Sequence, residues 1–148
     1  NLLTPGMAVL DVGAGSGILS IAASKLGAAR IVALDIDRTS VKVAKSNFKI
    51  NGMERDIRVF YGSLPDDRIM PGTFDLALAN ISGKVISQMA DALEQVLKPQ
   101  GVLIASGFLQ ENEQAIYERL TQANFNVSGR IHDGDWVTLV ADVQAKAF

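Results

Sequence analysis

Seven residues near the amino end, Asp11-Val12-Gly13-Ala14-Gly15-Ser16-Gly17, restrict the folds open to this chain more than any other feature. The apolar run Ala8 to Val12 leads into them, and Ile18, Leu19, Ala22 and Leu26 follow at helical spacing. A buried strand that ends in closely spaced glycines and turns at once into a helix needs backbone free to take positive φ. It also leaves room for a ligand to approach where a Cβ would collide. The spacing is GxGxG, with an acid two residues before the first glycine. The dinucleotide fingerprint wants a small residue where Ile18 stands, and no lysine follows the glycines, which excludes a P-loop. A carboxylate next to the loop repels a pyrophosphate and attracts a cationic ligand.

The rest of the chain repeats the strand–helix alternation. Ile31 to Leu34 reads as a second strand closed by Asp35. A helix follows, capped by Asp37 or Thr39, with Val41, Ala44 and Phe48 as its apolar stripe. Ile57 to Tyr61 is a third strand, Pro65 to Thr73 a loop, and Phe74 to Ala79 a fourth strand ending at Asn80. From Lys84 to Leu97, Ile86, Met89, Ala90, Leu93 and Leu97 make another stripe, stopped by Pro99 and Gly101. Val102 to Ala105 is strand five, and Ile116, Leu120 and Ala123 mark a further helix. Phe125 to Ile131 and Trp136 to Val143 flank the turn-like His132-Asp133-Gly134-Asp135 and predict a β-hairpin. Uniformly apolar strands linked through helices imply a doubly wound, mostly parallel α/β sheet with helices on both faces.

Composition closes off several classes of function. The 148 residues form one domain, 48% hydrophobic and 20% charged, with 14 Lys and Arg against 16 Asp and Glu. A net charge of −2 gives no electrostatic footprint for direct nucleic-acid binding. Zero cysteines exclude a thiolate metal site or nucleophile and fit a cytoplasmic location. With His132 as the single histidine, neither a metal site nor a Ser–His triad is expected. No apolar run reaches the ~20 residues of a membrane span.

Ligands in such sheets sit at the carboxyl ends of the strands, where four groups of residues converge. The glycine loop is the first. Asp35 lies about 20 residues on, where a carboxylate accepts the hydroxyls of a ribose, and Ile36 can lie against an adenine face. Ser63 follows strand three, within reach of an adenine edge. Asn80 ends strand four, read as an inward amide whose carbonyl accepts from an amine and so aims its lone pair. His132 is expected in the hairpin turn, and Trp136, alternating with Thr138 and Val140, is expected to pack in the last strand.

These residues resemble a known family. DVGAGSG at 11–17 followed by ILSIAASKLGA, with ALDID at 33–37, is similar to the class I S-adenosylmethionine-dependent methyltransferases. LALANI at 76–81, LKPQG at 97–101, ASGFLQE at 105–111 and GDWVTLVA at 134–141 bring the resemblance to the ribosomal protein L11 methyltransferases. It extends over essentially the whole chain. The resemblance implies a Rossmann-like, seven-stranded sheet whose last strand runs antiparallel, with S-adenosylmethionine as the cofactor. Asp11, Gly13, Ala14 and Gly15 would hold the cofactor's methionine end, Asp35 its ribose, and Asn80 would stand beside the transferable methyl and position the amine. The implied partner is a ribosomal large-subunit protein, methylated at lysine or α-amino groups.

Two departures accompany the resemblance. Nothing in the chain corresponds to the family's amino-terminal substrate-recognition domain, so residues 1–148 are expected to be a catalytic domain alone. Asn80-Ile81-Ser82-Gly83 lacks the Pro-Pro-aromatic continuation of enzymes that methylate nucleobase or glutamine-amide nitrogens. The alternatives are methylation of RNA or a small molecule, a nicotinamide-dependent oxidoreductase, and a non-catalytic cofactor-binding module.

Overall fold

The computed structural model describes residues 1–146. Seven strands form one sheet: β1 (Ala8–Val12), β2 (Arg30–Asp35), β3 (Ile57–Tyr61), β4 (Phe74–Asn80), β5 (Leu97–Leu109), β6 (Phe125–Asp133) and β7 (Trp136–Val143). The order is β3-β2-β1-β4-β5-β7-β6. The first five strands pair in parallel, and β7 runs antiparallel between β5 and β6. Four helices, α1 (Ile18–Lys25), α2 (Arg38–Ile50), α3 (Gly83–Val96) and α4 (Glu113–Gln122), connect them. No helix among the described residues is long and apolar enough to cross a membrane.

Strand alternation sorts the core into two layers. Leu10, Val32, Ala77, Leu103 and Leu139 point to the side of α3 and α4, where Ile86, Leu93, Ile116 and Leu120 meet them. Val9, Ile31, Leu76 and Leu78 point the other way, against Ala23 of α1 and Ala44 and Phe48 of α2. Complete burial of each large apolar side chain here contributes roughly 1.5–3 kcal/mol. Helices do lie on both faces. α1 and α2 pack on β1, β2 and β3, whereas α3 and α4 pack on β4 to β7.

The expected element order is present, with Asp37 capping α2 by accepting from the Thr39 N–H at 2.9 Å. The phase of α1 differs from the expected stripe. Ile18 and Leu26 are exposed, while Ser20 and Ala23 face the sheet. An eight-residue segment that is apolar nearly all round has no periodicity to fix its phase. The phase is set by a hydrogen bond from the Ser20 hydroxyl to the buried Asp11 carboxylate.

The fifth strand is longer than Val102 to Ala105, because α3 ends at Val96 and the chain enters β5 directly. Phe74 pairs with Leu97 and Leu76 with Val102, so Lys98-Pro99-Gln100-Gly101 bulge from the ladder, with Gln100 at φ 63°. The proline therefore needs no ladder donor. The hairpin turn also shrinks to Gly134-Asp135, and His132 and Asp133 belong to β6.

Candidate active site

The strand order reverses between β1 and β4, which leaves a crevice beyond their carboxyl ends. Gly13, Gly15 and Gly17 all take positive φ, at 71°, 55° and 83°. The N–H groups of Gly13 and Ala14 donate to Leu34 O at 2.8 and 3.0 Å, pinning the loop to the end of β2. A Cβ on Gly13 would strike the Ile81 side chain, and one on Gly17 the Phe48 ring. One on Gly15 would meet nothing. Gly15 is thus the part of the loop that faces open space.

Asp35 ends β2 and is nearly buried. Its Oδ2 accepts from the Gly15 N–H and its Oδ1 from the Asp37 N–H, both at 2.8 Å. A carboxylate has about four acceptor lone-pair sites, so two remain for further donors. Ile36, the next residue, is 72% exposed at the crevice edge. On its other side Gly62 N–H donates to Asp35 O at 2.9 Å, bringing the half-buried Ser63 to the same rim.

Asp11 lies beneath this surface. It is 1% exposed, and its carboxylate accepts from the Ser20 hydroxyl at 2.7 Å. Burial pushes its carboxyl up to about 6, with the Asp35 charge adding to the rise and the Ser20 hydrogen bonds opposing it. Asp11 therefore braces α1 and the loop from below and places a buried charge under them, while Ala14 is buried and Gly15 is left open above.

Asn80 does not point into the core as expected; it is exposed at the end of β4. Its neighbour in register is Ser106, whose carbonyl accepts from the Ile81 N–H at 3.1 Å. Gly107, at φ 93°, passes so close that a Cβ there would lie 2.9 Å from Asn80 Oδ1 and 2.7 Å from Ile81 O. Sequence reasoning missed both Ile81, which packs over Gly13, and Gly107, which makes room for Asn80. The second had a signal, a lone glycine inside an apolar strand.

The hairpin residues also depart from expectation. His132 leaves the turn, and its Nε2 lies 2.9 Å from Oε2 of the nearly buried Glu113, whose Oε1 accepts from Arg130 at 3.2 Å. Trp136 is not packed within the strand; it is 57% exposed.

Sheet order and glycine loop together define a Rossmann-like, doubly wound α/β domain with its ligand crevice at the switch point. That class does not fix the reaction, since the cyclase SpnF shares the fold with a TM-score of 0.81 at 17% identity, covering 99% of this chain and 78% of its own. The family is decided by sequence: a family model described as ribosomal protein L11 methyltransferase (PrmA) matches residues 1–144. The chain belongs to that family. A ribosomal protein L11 methyltransferase of Desulforamulus reducens is 39% identical over 138 residues, which cover 93% of this chain and 44% of that relative. A crystal structure of a ribosomal protein L11 methylase from Lactobacillus delbrueckii subsp. bulgaricus superposes with a TM-score of 0.88 at 34% identity, covering 95% of this chain and 71% of the other. The chain thus spans less than half the length of the curated relative. The oxidoreductase alternative receives no support from these matches.

Proposed function

We propose that residues 1–148 are the catalytic domain of an S-adenosylmethionine-dependent N-methyltransferase acting in the cytoplasm on amino groups of ribosomal protein L11. The observation that carries the cofactor is the clasp of Asp35 on Gly15. It leaves two carboxylate lone-pair sites for a ribose diol, next to an open stretch of glycine backbone and an exposed apolar Ile36. The residues fit the group. Gly13, Ala14 and Gly15, braced by Asp11, would hold the methionine end, with Asp35 on the ribose and Ile36 and Ser63 on the adenine.

When bound, the cofactor supplies a methyl on a cationic sulfonium. The chain supplies binding and alignment, and alignment of two reactants accounts for roughly 7–11 kcal/mol of such a barrier. Two carboxylates close to the loop, Asp11 and Asp35, favour a cationic ligand. Asn80 is exposed at the end of β4, and its Oδ1 lies beside Gly107, where any Cβ would crowd it. That oxygen accepts a hydrogen bond from an N–H of the neutral acceptor amine and so turns the nitrogen lone pair towards the methyl. A lysine amine, with a pKa of ~10.4 in water, must first lose a proton, and desolvation next to a positive charge favours the neutral form.

The test is transfer of labelled methyl from S-adenosylmethionine to purified ribosomal protein L11, with the Asn80→Ala variant alongside. Incorporation that Asn80→Ala cuts roughly 100-fold, at unchanged cofactor affinity, supports the assignment. Full activity of Asn80→Ala overturns its role.

A further inference from the structure

Asn80, Ser106, Thr138 and Ile131 form one row across β4, β5, β7 and β6. Asn80 is in register with Ser106, the Thr138 hydroxyl donates to Ser106 Oγ at 3.1 Å, and Thr138 stands opposite Ile131. Residues two apart on a strand share a face, as do residues directly opposite each other. Leu78 and Ile104, in register with each other, fix that face as the one turned away from α3 and α4. One step beyond the row, Trp136 stands opposite Asp133 on the same face. Trp136 and Ile131 are 57% and 60% exposed. The helices that pack on this side, α1 and α2, sit on β1, β2 and β3.

We infer that this row is the seat of the protein substrate: the acceptor amine reaches Asn80 and the flanking cationic residues lie on the Trp136 ring. The inference rests on the methyltransferase reading and adds to it the path of the substrate. Three observations carry it. The row is continuous with Asn80, and its middle is made of two small hydroxyl side chains that leave a low track over β5 and β7. An exposed indole at a hairpin tip contributes little to folding, yet it is the side chain that best receives a Lys or Arg over its face and most often anchors an interface. The indole's own neighbours are acidic, since Arg130 and His132 of the same hairpin face Glu113 of α4 on the other side of the sheet. Asp133 and Asp135 flank the indole, and among the described residues neither makes an ion pair. The cations Arg38, Lys42, Lys45 and Lys49 lie on α2, which packs on β2 and the opposite edge strand, β3. A basic segment is therefore steered to the β6–β7 end.

Trp136 is the single tryptophan, so emission excited beyond the absorption of Tyr61 and Tyr117 reads this platform alone. The experiment titrates the whole chain with a tryptophan-free, lysine-rich decapeptide and with a glutamate-rich decapeptide. The lysine peptide is expected to change the emission saturably, the glutamate peptide not at all, and Asp133→Asn with Asp135→Asn to weaken the response about tenfold. Trp136→Ala is expected to raise KM for ribosomal protein L11 about three- to tenfold at unchanged kcat and unchanged S-adenosylmethionine affinity, with Trp136→Phe in between. Unchanged emission with the lysine peptide, or an unchanged KM in Trp136→Ala, overturns the inference. An emission shift that tracks protein concentration, with dimers on sedimentation, overturns it in favour of a second copy of the chain. Failure of the chain to bind S-adenosylmethionine strikes the methyltransferase reading instead, and the peptide titration still judges the platform by itself.

Discussion

The Gly15 N–H donates to Asp35 Oδ2 at 2.8 Å across 20 residues of sequence, tying the open part of the glycine loop to the end of the neighbouring strand. The same carboxylate holds the Asp37 N–H at the entry to α2. One side chain therefore positions both walls of the crevice before any ligand arrives, which lowers the ordering cost of binding.

Replacing Asp35 by Asn sets an amide N–H against one of these two backbone donors. A hydrogen bond to a charged group contributes about 1.5–3 kcal/mol, so S-adenosylmethionine affinity should fall by roughly 10- to 100-fold, as read by calorimetry. Affinity within twofold of the parent would show that the clasp does not shape the site.

The glycines of the loop should differ in their tolerance of alanine. Gly13→Ala meets a positive φ and the Ile81 side chain, so left-handed strain of ~1–2 kcal/mol adds to overpacking of ~1–3 kcal/mol. Gly15→Ala has the strain but open space above it. Urea denaturation should rank Gly13→Ala as the less stable, with Ile81→Ala added to Gly13→Ala recovering part of the loss. Gly15→Ala should instead lose cofactor affinity. Equal destabilisation by the two would contradict the packing described.

Asp11 and Glu113 should drive stability in opposite directions with pH. The Asp11 carboxyl is raised from 3.8 to about 6, chiefly by burial. The folded state then binds its proton more tightly than the unfolded state, so this group's contribution falls as pH rises from about 4 to 6 and is flat above. The span corresponds to about 3 kcal/mol. Asp11→Asn should therefore gain on the parent as pH climbs through that window. Denaturation midpoints at pH 4.5, 5.5, 6.5 and 7.5 check this, and a constant difference would refute it.

Glu113 is held below the usual carboxylate range, first by the hydrogen bond from His132 and then by the charges of His132 and Arg130. Its contribution is present above its unfolded pKa and is lost as pH falls through the folded one. Because His132 and Arg130 are half-exposed, Glu113→Gln should cost only about 0.5–1 kcal/mol at pH 7. The cost should shrink as pH falls below about 4.5 and through the lowered folded pKa. Persistence of the full cost in acid would point to packing rather than charge.

Much of this was legible from residues alone. The apolar strands, the cap at Asp37 and the stripe Val41, Ala44 and Phe48 follow from periodicity and local chemistry, and the convergence of the glycine loop, Asp35 and Asn80 follows from the strand–helix order. What was not legible depended on contacts distant in sequence. The phase of α1 is set by the bond between Ser20 and Asp11, invisible in a segment apolar on every side. The bulge at Lys98 to Gly101 arises from pairing with β4, and the close pass of Gly107 beside Asn80 from the same pair of strands. Trp136 alternates as a packed residue would, but its face is the one turned away from α3 and α4, the helices that pack on this end of the sheet.

The most direct test of the account is calorimetric titration of this chain with S-adenosylmethionine, with S-adenosylhomocysteine and NADH in parallel and Asp35→Asn as the control. Micromolar binding of the two sulfur ligands, weakened in Asp35→Asn, with none for NADH, is the result expected. NADH bound in preference to both would contradict it.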